Sequence, residues 1–536
     1  PLRLVGSEMC IRDRLYYNIT IKEKNQIMID MIKEIIWSPL LVYGLLICGI
    51  YFTLRMRFFQ LRHFKEMIRL MFQGEESPIG VSSFQALAVS LAGRVGTGNI
   101  VGVATAIYVG GPGAIFWMWA TAFLGAGSAF IESTLAQIYK KEDNGEYRGG
   151  PAYYIEQGIK GRVGKIYALI FALITIIATG FLLPSIQSNA ISESVSNAFQ
   201  ISPWIIALIT AIVVGLVIFG GIQTIANFAS AVVPIMAIIY IIVAVIVVLM
   251  NASLVPDMLL LIIKSAFGQE ATFGGILGSM IQIGVMRGIY SNEAGQGTGP
   301  HAAGAAEVSH PAKQGLVQSF SVYVDTLFVC TATALMILIT GQYNVKDEDG
   351  SLLIDNGVYS LGANGEKVYE GSVTYTQAAL DLTLSNQSQF DINFVGFGSY
   401  FIAIILTFFA FTTILAYYYI AETNLVYILK GKHLWLKYAL KFLLISSVIF
   451  GAVKSAQLAW SIGDIGVGLM AWANMIAIVI LHKKAIEALR DYERQKAAKG
   501  SGKYAIYQPD KKDLPNATFW TEHYPNRLKE AKIKQD

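Results

Sequence analysis

The chain has 536 residues, 54% of them hydrophobic and 15% charged, with a mean hydropathy of +0.51. A soluble domain carries about 25% charged residues, so so few charges on so long a chain leave most of its surface to lipid. A net charge of +4, spread over loops, excludes a nucleic-acid partner, and the separation of Cys10, Cys48 and Cys330 excludes a disulfide framework or clustered metal site.

Residues 1–35 read as an N-terminal tail. Its first stretch, PLRLVGSEMCIRDR (Pro1–Arg14), has no period or apolar run and reads as translated adaptor sequence, with Met28 or Met31 as the natural start. Apolar stretches long enough to span a bilayer follow at 36–54, 82–110, 113–140, 164–190, 203–220, 225–250, 275–303, 314–341, 394–425, 437–453 and 459–482. The expected fold class is therefore all-α integral membrane, with about eleven transmembrane helices. Residues 55–81 form a cytoplasmic segment with a basic amphipathic helix at 55–74. Residues 342–392 make an acidic loop, and 483–536 a polar cytoplasmic tail, partly disordered.

Basic residues orient the chain. Arg55, Arg57, Arg62, Lys65 and Arg69 follow the first span, Lys140, Lys141 and Arg148 the third, Lys430 and Lys432 the ninth, and Lys483 and Lys484 the last. These are alternate loops. The N-terminus is thus expected outside and the C-terminus in the cytoplasm, with 342–392 extracellular.

Two spans are interrupted. AGRVGTGN (Ala92–Asn99) breaks the second and SNEAGQGTGP (Ser291–Pro300) the seventh. Backbone leaves helical form in a bilayer only where protein or a cavity satisfies it. Five spans precede the second break, counting from the first, and five begin with it. Five is odd, so residues 275–482 are inverted relative to 82–250, and 36–54 is an extra helix: the pattern of an inverted-repeat transporter. A half-helix starting at Gly98–Asn99 offers N–H groups to a carboxylate. The freed carbonyls before it suit a hard cation such as sodium.

GRVGTGNIVGVATAIYVGGPGAIFWMW (Gly93–Trp119), RGGPAYYIEQG (Arg148–Gly158), SNEAGQGTGPHAAGAA (Ser291–Ala306) and HPAKQGLVQSFSVYVDTLFVCTATALMIL (His310–Leu338) resemble signatures of the alanine or glycine:cation symporter family. The resemblance covers roughly 36–484. It implies a leucine-transporter-type 5+5 inverted repeat, a small neutral amino acid as substrate and sodium, or sometimes protons, as coupling ion, with no organic cofactor. It also implies a bacterial plasma membrane and no enzymatic activity, and it leaves the oligomeric state open. By analogy with that fold, sodium is expected between carbonyls of Ala92 and Val95 and hydroxyls of Thr412 and Thr413; the alternative is that both threonines bond their own helix. The substrate is expected at Thr97, Gly98, Asn99, Glu293, Gly295 and Gly297, with Gln187 and Asn189 joining them or capping the membrane edge. Arg94 departs from the small residue of many members, and a cation there would repel a nearby sodium.

Charges within spans are Glu132, Arg287, Glu293 and Asp325, each expected to find a partner. Glu293 reads as a salt-bridge partner of Arg94 or Arg287, or as a reader of the substrate ammonium. Phe181 and Phe408 are candidate gates. A proton-coupled carrier of the same fold, with Glu293 or Glu132 carrying the proton, is the near rival, and a passive channel the distant one.

Overall fold

A computed structural model describes Lys24 and residues 26–72, 81–143, 145–347, 349–361, 367–369, 371–385, 396–500, 505–510, 512 and 514–525. The adaptor-like stretch 1–14, with Cys10, lies outside them. The first long helix is α1 (Gln26–Arg55), ten residues longer at its start than the apolar run. Short α2 (Phe59–Arg62) and α3 (Phe64–Phe72) follow. Next come the bent pair α4 (Ser83–Arg94) and α5 (Gly98–Gly110), then α6 (Gly113–Ile138). A two-stranded hairpin, β1 (Lys141–Asp143) and β2 (Glu146–Arg148), leads to α7 (Pro151–Gly158).

Beyond lie α8 (Gly161–Phe199), α9 (Pro203–Ile218), α10 (Gly221–Met250) and α11 (Val255–Ala266). The second interrupted helix is α12 (Leu277–Asn292) with α13 (Gly299–Ala305), followed by α14 (Pro311–Thr340). After short hairpins and α15 (Val373–Ser385) come α16 (Phe397–Leu429), α17 (Leu436–Val453) and α18 (Ala456–Lys499), and a single turn, α19 (Phe519–His523), ends the described chain.

The protein is a multi-pass membrane protein. Among the described residues, eight helices are long and apolar enough to cross a bilayer, nine if α4–α5 counts as one span. The other two expected spans are the short α9 and the interrupted α12–α13. Leu208, Ile209, Ile212 and Leu216 on α9, and Ile235, Ile238, Ile242 and Leu249 on α10, are exposed, which fits a lipid-facing surface. The glycine- and alanine-rich α6 runs through the centre, against α1, α12, α13, α14 and α18. Its small residues allow the approach: a Cβ at Gly125 would meet Ala294 Cβ at 2.9 Å.

Local signals set the ends near the breaks. Ser82 caps α4 reciprocally: its Oγ accepts Gln85 N–H at 3.1 Å, and its own N–H reaches Gln85 Oε1 at 2.9 Å. Gly111, with φ +63°, makes the turn from α5 into α6.

The C-terminal region differs from its sequence reading. Helix α18 continues to Lys499 because Ala485, Ile486, Leu489 and Tyr492 keep one face buried. That face meets α3. Burial raises the Glu66 carboxyl, but the Tyr492 hydroxyl and Lys496, with Nζ at 3.0 Å, outweigh it and hold Glu66 below the usual range. Residues 505–510 and 514–525 pack back onto the bundle, with Phe519 and Trp520 buried.

Candidate functional site at two helix breaks

The first break opens where Val95 leaves helical conformation (φ −76°, ψ 92°). The chain resumes as a π-helical turn at Gly98–Gly102, bent by 48° from α4. Such turns recur at functional sites. Unwinding frees the carbonyl of Ala92, which accepts Thr413 Oγ1 of α16 at 2.7 Å. The same hydroxyl lies 2.9 Å from Phe409 O. Thr412 bonds Phe409 O of its own helix, at 2.9 Å, so of the two threonines the structure brings Thr413 alone to the break by a hydrogen bond. A Cβ at Gly96 would fall 2.6 Å from Thr413 Oγ1 and 3.2 Å from Gln187 Oε1. Gly96→Ala is therefore expected to weaken whatever binds here about fivefold, matching ~1 kcal/mol of overpacking. Ligand titration of the variant by calorimetry checks this; unchanged affinity would place the ligand elsewhere.

Thr97 N–H donates to Gln187 Oε1 at 3.3 Å, and its hydroxyl lies 3.2 Å from the Tyr290 hydroxyl. Gln187 Nε2 donates to the same tyrosine oxygen at 3.2 Å. At Gly98 a Cβ would meet Ser291 Cα at 2.9 Å, so this glycine lets the two broken helices touch. Asn99 is committed within the protein: Oδ1 accepts Gly96 N–H at 2.8 Å and Nδ2 donates to Asp325 Oδ1 at 2.6 Å. Asn189 is turned away, donating to the carbonyls of Gly451 and Lys454 at the end of α17.

In the second break Glu293 takes a left-handed conformation (φ +57°), as do Gly295 (+81°) and Gly297 (+91°). The two glycines face away from α4. Gly295 N–H reaches Glu132 Oε1 at 3.2 Å, and Asn474 Nδ2 binds both Glu132 Oε2 (2.6 Å) and Gly295 O (2.9 Å). Gly297 abuts Phe171 and Asn474. Glu293 points the other way, its carboxylate against Gly93, and its Oε1 has no hydrogen-bond partner among the described residues.

The expected pairing of Glu293 with an arginine is not what forms. Arg287 makes a two-pronged pair with Asp464 at 2.9 and 2.8 Å. Arg94 donates to Gln318 Oε1 at 3.2 Å and to the Ser321 hydroxyl. Both arginines find these partners on α14 and α18, helices adjoining the break, at Gln318, Ser321 and Asp464, to which the sequence reading gave no role. Asp325 is held by the neutral donors Asn99, Ser291 (2.8 Å) and Thr326 (2.7 Å). Among the described residues, then, buried Glu132, Glu293 and Asp325 each lack an ion pair, and Arg94 is the cation whose field reaches all three. Ionised together, they would leave two negative charges uncompensated.

A cavity of about 410 Å³ opens beside the first break towards the loop that contains Lys346 and Gly371. Arg287, Asp464 and Trp460 border it, and the Trp460 ring lies 4.9 Å from that of Tyr290. The candidate gates lie elsewhere. Phe408 is exposed on the outside of the bundle, because it sits on the face of α16 opposite the break. Phe181 packs in a tilted arrangement against Phe450, with ring centroids 5.6 Å apart. Tyr290, Asn474 and Asp464 are polar residues near the breaks that the motif reading missed, and Ser291 opens the second motif without having been assigned a role. The hydroxyl of Tyr290, one residue before SNEAGQGTGP, was the available signal.

Two broken helices abutting at polar, glycine-rich breaks inside a lipid-facing helical bundle define a membrane protein of the transporter class. The chain belongs to the Sodium:alanine symporter family, whose family model matches residues 22–506. It is 53% identical to the putative sodium/proton-dependent alanine carrier protein YrbD of Bacillus subtilis, over 92% of this chain and 97% of that one. It is 47% identical to the sodium/proton-dependent alanine carrier protein of Bacillus sp. PS3, over 87% and 100%. It is 41% identical to the probable sodium/glutamine symporter GlnT of Bacillus subtilis, over 90% and 93%.

Proposed function

We propose that the chain is a secondary active transporter carrying a small neutral amino acid, alanine or glycine, into a bacterial cell together with sodium. The observation that carries this reading is the contact of Thr413 Oγ1 with the freed Ala92 carbonyl at the first break. When sodium enters, the threonine hydroxyl turns its proton away and presents a lone pair beside the carbonyls of Ala92 and Val95. Neutral oxygens are the ligands an alkali ion takes. The substrate carboxylate meets the N–H groups at Thr97 and Gly98, with Gln187 beside them, and Glu293 faces the ammonium. Two relatives are named as alanine carriers, which supports the substrate; a third is named as a probable sodium/glutamine symporter.

The helices α4–α10 and α12–α18 are read as a 5+5 inverted repeat with α1 outside it, the N-terminus outside and the C-terminus in the cytoplasm. The repeats rock about the breaks. Sodium drives the cycle only if it binds the two states unequally. One charge crossing −100 mV gains about 2.3 kcal/mol, enough for roughly fifty-fold accumulation.

Proton coupling is the second reading. Three buried carboxylates against one guanidinium favour it, as does the sodium/proton naming of two relatives, with Glu293 or Glu132 as the acceptor.

Uptake of radiolabelled L-alanine into proteoliposomes tests both. Accumulation with an inward sodium gradient, and none with potassium, is expected. Accumulation on a pH step without sodium would shift the coupling to protons. Equilibration without accumulation under every gradient would sink symport and leave a passive pathway.

A further inference from the structure

The two broken helices are stitched together at one end of the bundle. Val81, just before α4, bridges Ala306, just after α13: Val81 N–H donates to Ala305 O at 3.2 Å and Glu307 N–H to Val81 O at 3.0 Å. The end of helix α6 and the residues just after it reinforce the seam. Gln137 Nε2 donates to the carbonyls of Ala303 and, at 2.9 Å, Ala306, and Lys140 Nζ donates to Ala306 O at 2.9 Å.

The C-terminal segment closes over these two clamping residues. Trp520 Nε1 donates to Gln137 O at 2.8 Å. The Lys140 ammonium sits 4.5 Å from the Tyr147 ring, 4.2 Å from Phe519 and 5.5 Å from Trp520. A desolvated ammonium is attracted to the negative faces of the rings around it, and here the rings come from the tail and from β2. The segment is also tied to the turn beyond α13, with Tyr507 N–H on Ser309 O at 2.9 Å and Ser309 Oγ on Ala505 O at 2.8 Å.

We propose that residues 505–510 and 514–525 are a built-in latch on the cytoplasmic gate: the docked tail holds Gln137 and Lys140 on the carbonyls of Ala303 and Ala306, and its release frees the seam to open. The inference rests on the transport reading for its purpose, but the contact itself does not depend on it. A solvated polar tail would have no reason to bury Phe519 and Trp520 at 1% exposure. Their burial removes Lys140 from water as well, so undocking returns the ammonium to solvent and weakens its hold on Ala306 O.

The test reads the seam directly. A cysteine is placed at Ala302, on α13 and buried against α4, and its labelling by a maleimide is timed in proteoliposomes, with the chain lacking that cysteine as background. The comparison is the full chain, the chain ended after Gly500, and Trp520→Ala, each shown monodisperse by size exclusion. Labelling at least fivefold faster in both altered chains is expected, with Phe116→Leu, remote from the seam, unchanged. Equal labelling rates in monodisperse protein would overturn the latch, whether or not alanine is transported. Failure of sodium-driven uptake in all chains, with faster labelling retained, would remove the transport reading and keep the latch.

Discussion

Asp464→Ala is expected to cost about 3–5 kcal/mol of stability, because it leaves the Arg287 guanidinium buried without its partner. The two side chains are 4% and 2% exposed, with two short N–O contacts. The Trp460 ring, 4.5 Å from the guanidinium, cannot replace a carboxylate. Arg287→Met combined with Asp464→Leu is expected to fall within about 1 kcal/mol of the native chain, since removing both charges also removes both desolvation penalties. Thermal unfolding in detergent measures all three. A double variant as unstable as the single one would mean that packing, not charge pairing, holds this region. Because the pair borders both the 410 Å³ cavity and the rings above Thr97, the stable double variant also offers a test of gating. Its uptake of alanine is expected to leak down the substrate gradient without sodium.

The breaks were legible in the sequence because the chemistry that makes them is local. Gly96, Gly98, Gly295 and Gly297 have no other purpose in the middle of apolar runs, and the structure places them where a Cβ would collide or where φ is positive. The partners of the charged residues were not legible. Arg287 and Asp464 are 177 positions apart, and nothing in either neighbourhood names the other. Asn189 is a different case: the sequence leaves it either beside Gln187 or as a cap at the membrane edge, and because residues i and i+2 of a helix point some 200° apart, it faces away from Gln187 and caps α17. The docked C-terminal segment was missed because its aromatic residues, Tyr507, Phe519 and Trp520, are spread through a polar stretch with neither helical nor strand period. Burial there depends on a receiving surface, around Lys140 and Gln137, that sequence reading does not supply.

Thr413→Ala is expected to raise the sodium concentration for half-maximal uptake by ten- to a hundredfold, or about 1.4–2.8 kcal/mol of binding, with the maximal rate at saturating sodium less affected. Among the described residues, this hydroxyl is the one side-chain oxygen that bonds the Ala92 carbonyl, and alanine leaves that carbonyl without it. Thr413→Ser keeps the oxygen and should stay within about threefold of native. Thr412→Ala is the internal control. Its hydroxyl bonds Phe409 O within α16, a contact that helical threonines make for local reasons, so its loss should leave sodium dependence near native. The sequence treats the two threonines alike; the geometry separates them, and the pair of measurements distinguishes an ion ligand from a general loss of packing. If Thr412→Ala shifted the sodium dependence as far as Thr413→Ala does, the ion would have to lie deeper against α16 than the first break. If neither shifted it, the coupling ion would sit among the carboxylates around Arg94, and the contact between Thr413 and Ala92 would serve only to hold the broken helix in place.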